Sequence, residues 1–466
     1  MPNIYGLLSV GRVALATQQK AIDVTGNNIA NVNTPGYSRQ RLNMESTDPI
    51  RYGAGQMSRG VRANRKTDRM YDQFLGSQIN NENQSLGKWE AQKNSLEKVE
   101  MIFDEASGNG LNQAMGDFWN AWQDLANNPS GHVERVELLA KSQTMTGMFN
   151  KIASDLEQTG KDMDTNIKGT VDEINLLAKE IADLNEKIRK AEVGGHSANE
   201  FRDQRDLVLK ELSGFMDINS FENNQGHMTV LTGGGHPLVE GVSAYELTTE
   251  INDGHYNVEW IDSNGNQTDI TGNISGGKLK GWIETRDVAV PDYLARMDSL
   301  AASIMTEVNT LHQAGYDLND DSGGIFFSGA SALDMSVDSA LLADTDLIAA
   351  ARFSGYLTDP SHPGDNRNAL AIAELQNSIL TDIDSSTFDD YYNSIVSDVG
   401  SSVKNAGMNY NHQASVTDQL ANYRETVSGV SLDEEMVNLV KFQHAYDAAA
   451  KLISTVDELL ATLMNI

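Results

Sequence analysis

The chain has 466 residues, with 35 basic and 66 acidic side chains and a formal charge of -31. That length asks for more than one core, and a surface so negative repels phosphate backbones, which argues against a nucleic-acid binder. With no cysteine anywhere, disulfide scaffolds, thiol catalysis and Cys-type zinc sites are excluded.

The charge is unevenly spread. Residues 1–66 hold nine Lys/Arg against three Asp/Glu, whereas residues 317–400 hold fifteen acids and two arginines. A basic end on an acidic body can bind nucleic acid or membrane, or can meet acidic surfaces of like subunits, and no basic cluster with interleaved aromatics favours nucleic acid. Met1 to Gln19 lacks a charged segment followed by a continuous apolar one, so no cleaved secretory signal is expected. No apolar run reaches the roughly 18 residues that a membrane span needs, so no membrane insertion is expected.

From Ile4 to Val32 an apolar residue recurs every seventh position, at Leu8, Leu15, Ile22 and Ile29. Ile4, Gly11, Gln18, Thr25 and Val32 supply the 4-3 offset of a coiled coil. Gly11, Gln18 and Thr25 make this a poor seam by area. Asn27, Asn28, Asn31 and Asn33 then crowd amides at the helix end, and Pro35-Gly36 predicts a turn. Met70 to Met101 reads as helix with Leu75, Ile79, Leu86, Trp89 and Leu96 inward.

From Gly131 a 3-4 pattern runs through Leu138, Phe149, Leu156, Ile167, Ile174 and Ile181 to Ile188. A helix of that length would span about 90 Å, with Gly147, Gly160 and Gly169 as places where it could break and Gly194-Gly195 as its end. A further helix is expected from about Glu200 to Leu212. Residues 214–285 change character, alternating short β-type runs with turns that include Gly233–Gly235 and Asn264-Gly265. Helix returns from Pro291 to His312. Residues 315–366 are acidic and turn-rich, with room for two short strands, and helix occupies most of the chain from Asn368.

Ser431-Leu432-Asp433-Glu434 spells a capping box. Behind it Leu439, Phe442, Tyr446, Ala449, Ile453, Val456, Leu460 and Leu463 alternate by 3 and 4. This helix would be about 50 Å long and the N-terminal one about 43 Å. Two terminal rods of similar length most simply pair antiparallel. The fold class is therefore mainly α with an inserted β module. The expected division is a terminal coiled coil (1–35 and 432–466), a helix-rich shell (36–213 and 286–431) and a β-rich outer module (214–285).

Nothing points to catalysis, so no enzyme, cofactor or metal site is expected. The nine histidines form no i, i+4 pair. Gly272 to Leu279 misses a phosphate loop because Leu279 stands where Ser or Thr would hold magnesium. Asp317, Asn319 and Asp321 begin like a calcium loop, but Ser322 and Ser328 occupy the positions that need Gly and Glu.

The opening stretch Gly6 to Gln40, "GLLSVGRVALATQQKAIDVTGNNIANVNTPGYSRQ", resembles the N-terminal signature of axial proteins of the bacterial flagellum. The closing stretch from Ser428, "SGVSLDEEMVNLVKFQHAYDAAAKL", is similar to the C-terminus of the hook-associated protein 1 family, the first hook–filament junction proteins. Asp203 to Ile218 and Gly276 to Asn319 resemble the same family. Residues 320–400 depart most from its pattern.

The resemblance implies an inner coiled-coil tube of paired terminal helices, a helical shell and outer β domains. It also implies partners: copies of itself in a ring, the hook protein, a second junction protein, and a cytoplasmic export chaperone that holds the C-terminal helix. Leu439, Phe442, Tyr446, Ile453 and Leu460 are the stripe expected to meet that chaperone. Export is expected through the flagellar type III channel, unfolded, to a site outside the cell. In such a tube the four asparagines could pair across subunits without the desolvation cost of buried charge. A frayed helix end would look similarly polar.

Overall fold

The computed structural model describes residues 4–47, 50–52, 55–57, 60–103, 110–193, 197–223, 226–355 and 364–464. Helix α1 (Ile4–Ala30) leads through a turn into a charged hairpin, β1 (Gln40–Ser46) and β4 (Val61–Arg69), with β2 (Ile50–Tyr52) and β3 (Gly55–Met57) paired beyond it. Next come α2 (Gln73–Ile102), α3 (Leu111–Asn127), α4 (His132–Val193) and α5 (Asn199–Phe215). Asp72 caps α2 by accepting from the amides of Phe74 and Leu75.

The β module forms two antiparallel sheets. β5 (Ile218–Glu222), β6 (Met228–Thr232), β7 (Pro237–Glu240) and β8 (Ser243–Ala244) follow in order, then β9 (Leu247–Asn252), β10 (His255–Ile261) and β11 (Gln267–Asp269). The chain continues through α6 (Gly277–Glu284) and α7 (Val290–Ala314), and through a short pair, β12 (Phe327–Ser328) and β13 (Ser336–Val337). It closes with α8 (Ser339–Ala343), α9 (Arg367–Glu374), α10 (Phe388–Ser428) and α11 (Leu432–Met464). No described helix is long and apolar enough to cross a membrane.

Two cores are strung along α4. Its first half, with α3, α7, α9 and the start of α10, encloses an aromatic cluster in which Trp119 stacks on Phe388 and Phe118 lies 5.5 Å from Phe327. Its second half, with α5 and α6, is covered by the β strands through Val230, Leu238, Val239, Leu247 and Val258. The strands thus close over α4 and α5 and share their core. Between the two cores Asp164 receives Arg286 at 2.6 Å and the Tyr256 amide at 3.0 Å. The pairing satisfies a buried charge that would otherwise be costly.

Helix α4 is unbroken for 62 residues. The breaks anticipated at its glycines do not occur, because tertiary packing on both halves outweighs roughly 1 kcal/mol of propensity per glycine. Gly194-Gly195 lies outside the described residues. The helix expected to begin at Pro291 begins instead at Gly277. A π turn over Thr285–Ala289 joins α6 to α7, and that wider turn relieves the clash a proline imposes on the carbonyl four residues back. The glycine turns behave as expected. Gly235 lies at φ +87 between β6 and β7, and Gly265 at φ +84 between β10 and β11.

Helix α3 and the β1–β4 hairpin were not legible in advance. In α2, Leu75, Ile79 and Leu96 are buried, while Leu86 and Trp89 are only half-buried. Asp317 uses its carboxylate on the amides of Asn319 and Asp321, a local turn, and the described residues hold no cluster suited to a metal.

Candidate assembly surface at the paired chain ends

The two ends of the chain pack along each other as antiparallel rods: Asn28 meets Glu435 at one end, and Gly11 meets Ile453 further along. The residues of α1 most buried in the pair are small. Gly11, Ala21 and Thr25 are buried, whereas Leu8, Leu15, Ile22 and Ile29 are half-buried. The expectation that Gly11 and Thr25 bury little is corrected. Their small size lets the backbones approach, and a Cβ at Gly11 would stand 2.8 Å from Cγ1 of Ile453. Thr17 is buried by a second neighbour, since its hydroxyl accepts from the Ala63 amide on β4.

On α11, Val456 is buried and Leu439, Phe442, Tyr446, Ile453 and Leu460 are half-buried. Leu463 lies in the helix, but its side chain is outside the described residues. A second, broken apolar stripe, Val437 and Val440 near one end and Leu452 and Leu459 near the other, lies on another side of the helix, with the exposed Lys441, His444, Asp447 and Lys451 between them. With Met436 it is between 39 and 68 % exposed. Leu452 straddles the two stripes, its Cδ2 lying near Gly11. Because polar residues interrupt it, 3-4 spacing does not reveal this second stripe in the sequence.

A polar joint fastens the rods to the shell. The Asn28 amide bonds to both backbone groups of Gln40, accepting from its N–H and donating to its C=O, each at 2.9 Å. It also accepts from the Tyr37 hydroxyl at 2.9 Å and donates to Glu435 at 3.1 Å. Burial, and then the charges of Asp203, Glu200 and Glu435, push the Tyr37 phenol well above its ordinary range, so it stays a neutral donor. Arg39 spans Glu434 at 2.8 Å and Glu435 at 2.7 Å, and its amide donates to Ser428.

The turn itself is held from the shell side. Gly36 lies at φ +80, and its carbonyl accepts from Arg424 at 2.8 Å. The Ser38 amide donates to Asp203, which with Asp206 also receives Arg69. Pro35 and Asn33 are exposed.

The capping-box reading changes, and the asparagines acquire partners within the chain. Glu434 does not reach back in a capping box; its carboxylate lies on Arg39, a stronger partner than a neutral amide. Three of the four asparagines bond within the chain: Asn28 as above, Asn27 to Glu200, and Asn31 to Asn27. The participation of Tyr37, Arg39, Arg69, Asp203 and Arg424 was missed; apart from Tyr37, which bonds to nearby Asn28, their partners lie more than a hundred positions away and only folding brings them together.

Comparison with known proteins follows the same layout. Residues 96–327 match the family described as flagellar hook-associated protein FlgK helical domain. Residues 8–37 match the flagella basal body rod protein family, and residues 425–466 match the flagellar basal body rod FlgEFG protein C-terminal family. Over its whole length the chain is 30% identical to flagellar hook-associated protein 1 of Bacillus subtilis, covering 99% of that protein. It is 25% identical to the Escherichia coli protein of the same name, with 99% of each covered. The fold resembles the flagellar hook junction protein FlgK of Burkholderia pseudomallei with a TM-score of 0.68 at 15% identity, over 75% of this chain and 100% of that one.

Proposed function

This chain belongs to the flagellar hook-associated protein 1 family, and from that premise we propose that it is a structural subunit joining hook to filament as a ring of identical copies. The observation that carries this reading is the second apolar stripe of α11. Once α1 has covered one face, Met436, Val437, Val440 and Leu459 remain open to water on the neighbouring face. An uncovered apolar stripe on a rod whose other face is already paired calls for further helices. Sister rods packed around an axis would cover it.

The joint supports the same reading. Its ion pairs and shared amides hold the rods at a set angle to the shell, so that copies can pack in register. The hook protein would lie on one side of the ring and a second junction protein, followed by the filament, on the other. Before assembly the subunit would travel unfolded through the flagellar type III route, its C-terminal helix held by a cytoplasmic chaperone. The role is structural, not catalytic.

Deletion of the gene tests the assignment. Cells should build hooks without filaments and lose filament protein to the medium, and the intact gene should restore filaments. Hooks that carry normal filaments in the deletion strain would contradict it.

A further inference from the structure

Beside the joint, α1, β1 and the first turns of α11 bound an open groove of about 800 Å³. Leu42, Val437 and Phe442 line it, and Val437 is 68 % exposed. On its rim stand the exposed cations Arg41 and Lys441. Three acids also line the groove: Glu434 and Glu435 are engaged by Arg39, which lines it too, and Asp433 is exposed.

The opposite end of α11 has the complementary character. Glu458 is an exposed acid, and Leu459 next to it and Met464 near the helix end are 53 and 86 % exposed. In one helix, residues 437 and 459 are roughly 33 Å apart. The tip therefore cannot fill the groove of its own chain.

We propose that the α11 tip of one copy seats in the joint groove of the next copy. Glu458 lies against Arg41 and Lys441, and Leu459 covers Val437. The contact joins two different surfaces, so it repeats head to tail and generates a closed ring or a helical array. The charges set direction and register, while the apolar contact supplies most of the affinity. This inference rests on the reading of the paired rods as the assembly surface and names which part of one rod meets which part of another.

Because the chain has no cysteine, disulfide trapping reports the contact cleanly. Copies carrying Val437→Cys are co-expressed with copies carrying Leu459→Cys in the deletion strain, and detached flagella are oxidised. Cross-linked pairs should form only when both variants are present, and the double variant should give a ladder of multimers. Filaments joined normally to hooks with no cross-link would overturn the inference while leaving the junction role intact. Pairs formed by Leu459→Cys alone would overturn it in favour of tip-to-tip packing.

If the cysteine variants fail to join filaments, charge exchange decides. Lys441→Glu should abolish filament attachment, and adding Glu458→Lys should restore it. Either no loss or no restoration would overturn the inference.

Discussion

Asn28 and Glu435, separated by 407 positions in the chain, lie 3.1 Å apart in the joint that ties the terminal rods to the shell. Because the same amide also completes the backbone groups of Gln40 and receives Tyr37, Asn28→Leu strands several buried polar groups at once. Each stranded group costs about 1–3 kcal/mol. The loss is expected to be local: protease cleavage within residues 30–40 should accelerate strongly while the melting of the aromatic core changes little. Unchanged cleavage would mean that Asn28 is dispensable to the joint.

Gly11 sets the spacing of the rods. A side chain there meets Ile453 and Leu452 at once, so Gly11→Val should cost about 1–3 kcal/mol of pairing through overpacking. In the assembled junction, amide exchange along residues 4–30 and 432–464 is expected to quicken, with exchange in α4 unaltered. Full protection of both rods in Gly11→Val would show that the close approach is not required.

His312 gives the aromatic core a pH dependence. It is fully buried; its Nδ1 lies 2.7 Å from the Gly324 carbonyl, and its Nε2 accepts from the Ala349 amide at 3.0 Å. Burial chiefly, with Arg135 nearby, lowers its pKa from 6.5 to about 4. The unfolded chain therefore takes up a proton that the folded chain refuses between those values. This contribution is complete above pH 6.5 and declines as pH falls through 6.5 toward 4, by about 1.4 kcal/mol per pH unit. Urea unfolding of the wild type should lose this much more stability across the interval than unfolding of His312→Gln does. Identical slopes would contradict the neutral, doubly bonded histidine.

The stripe that meets α1 in the folded chain is the one expected to meet the export chaperone beforehand. Leu439→Asp with Tyr446→Asp should then lower chaperone affinity at least about tenfold, or about 1.4 kcal/mol, in calorimetric titration. Val437→Asp with Val440→Asp, on the other stripe, should leave it nearly unchanged. The reverse pattern would mean that the chaperone covers the face later shared by sister copies.

Much of the fold was legible because its long helices repeat. Leu138 to Ile188 and Leu439 to Leu463 carry 3-4 spacing over many turns, and Asn264-Gly265 marks a hairpin whichever strands flank it. Helix α3 is short and its pattern is aromatic, so Phe118, Trp119 and Trp122 declare a core only when Phe326, Phe327 and Phe388 arrive from elsewhere. The β1–β4 hairpin is nearly all polar, since one face leans on α1 and the rest is open. Of the candidate site, the apolar stripe that faces α1 could be read from spacing. The joint could not, because Arg39 and Glu435 choose each other only after both chain ends have returned to the same place.

The central claim is that the rods acquire their full cover only among sister copies. Amide exchange, measured residue by residue on the single copy and on the assembled junction, tests it most directly. The account predicts weak protection of residues 4–30 and 432–464 in the single copy and a sharp rise in both on assembly, with α4 equally protected in each state. Rods as well protected alone as in the junction would contradict it.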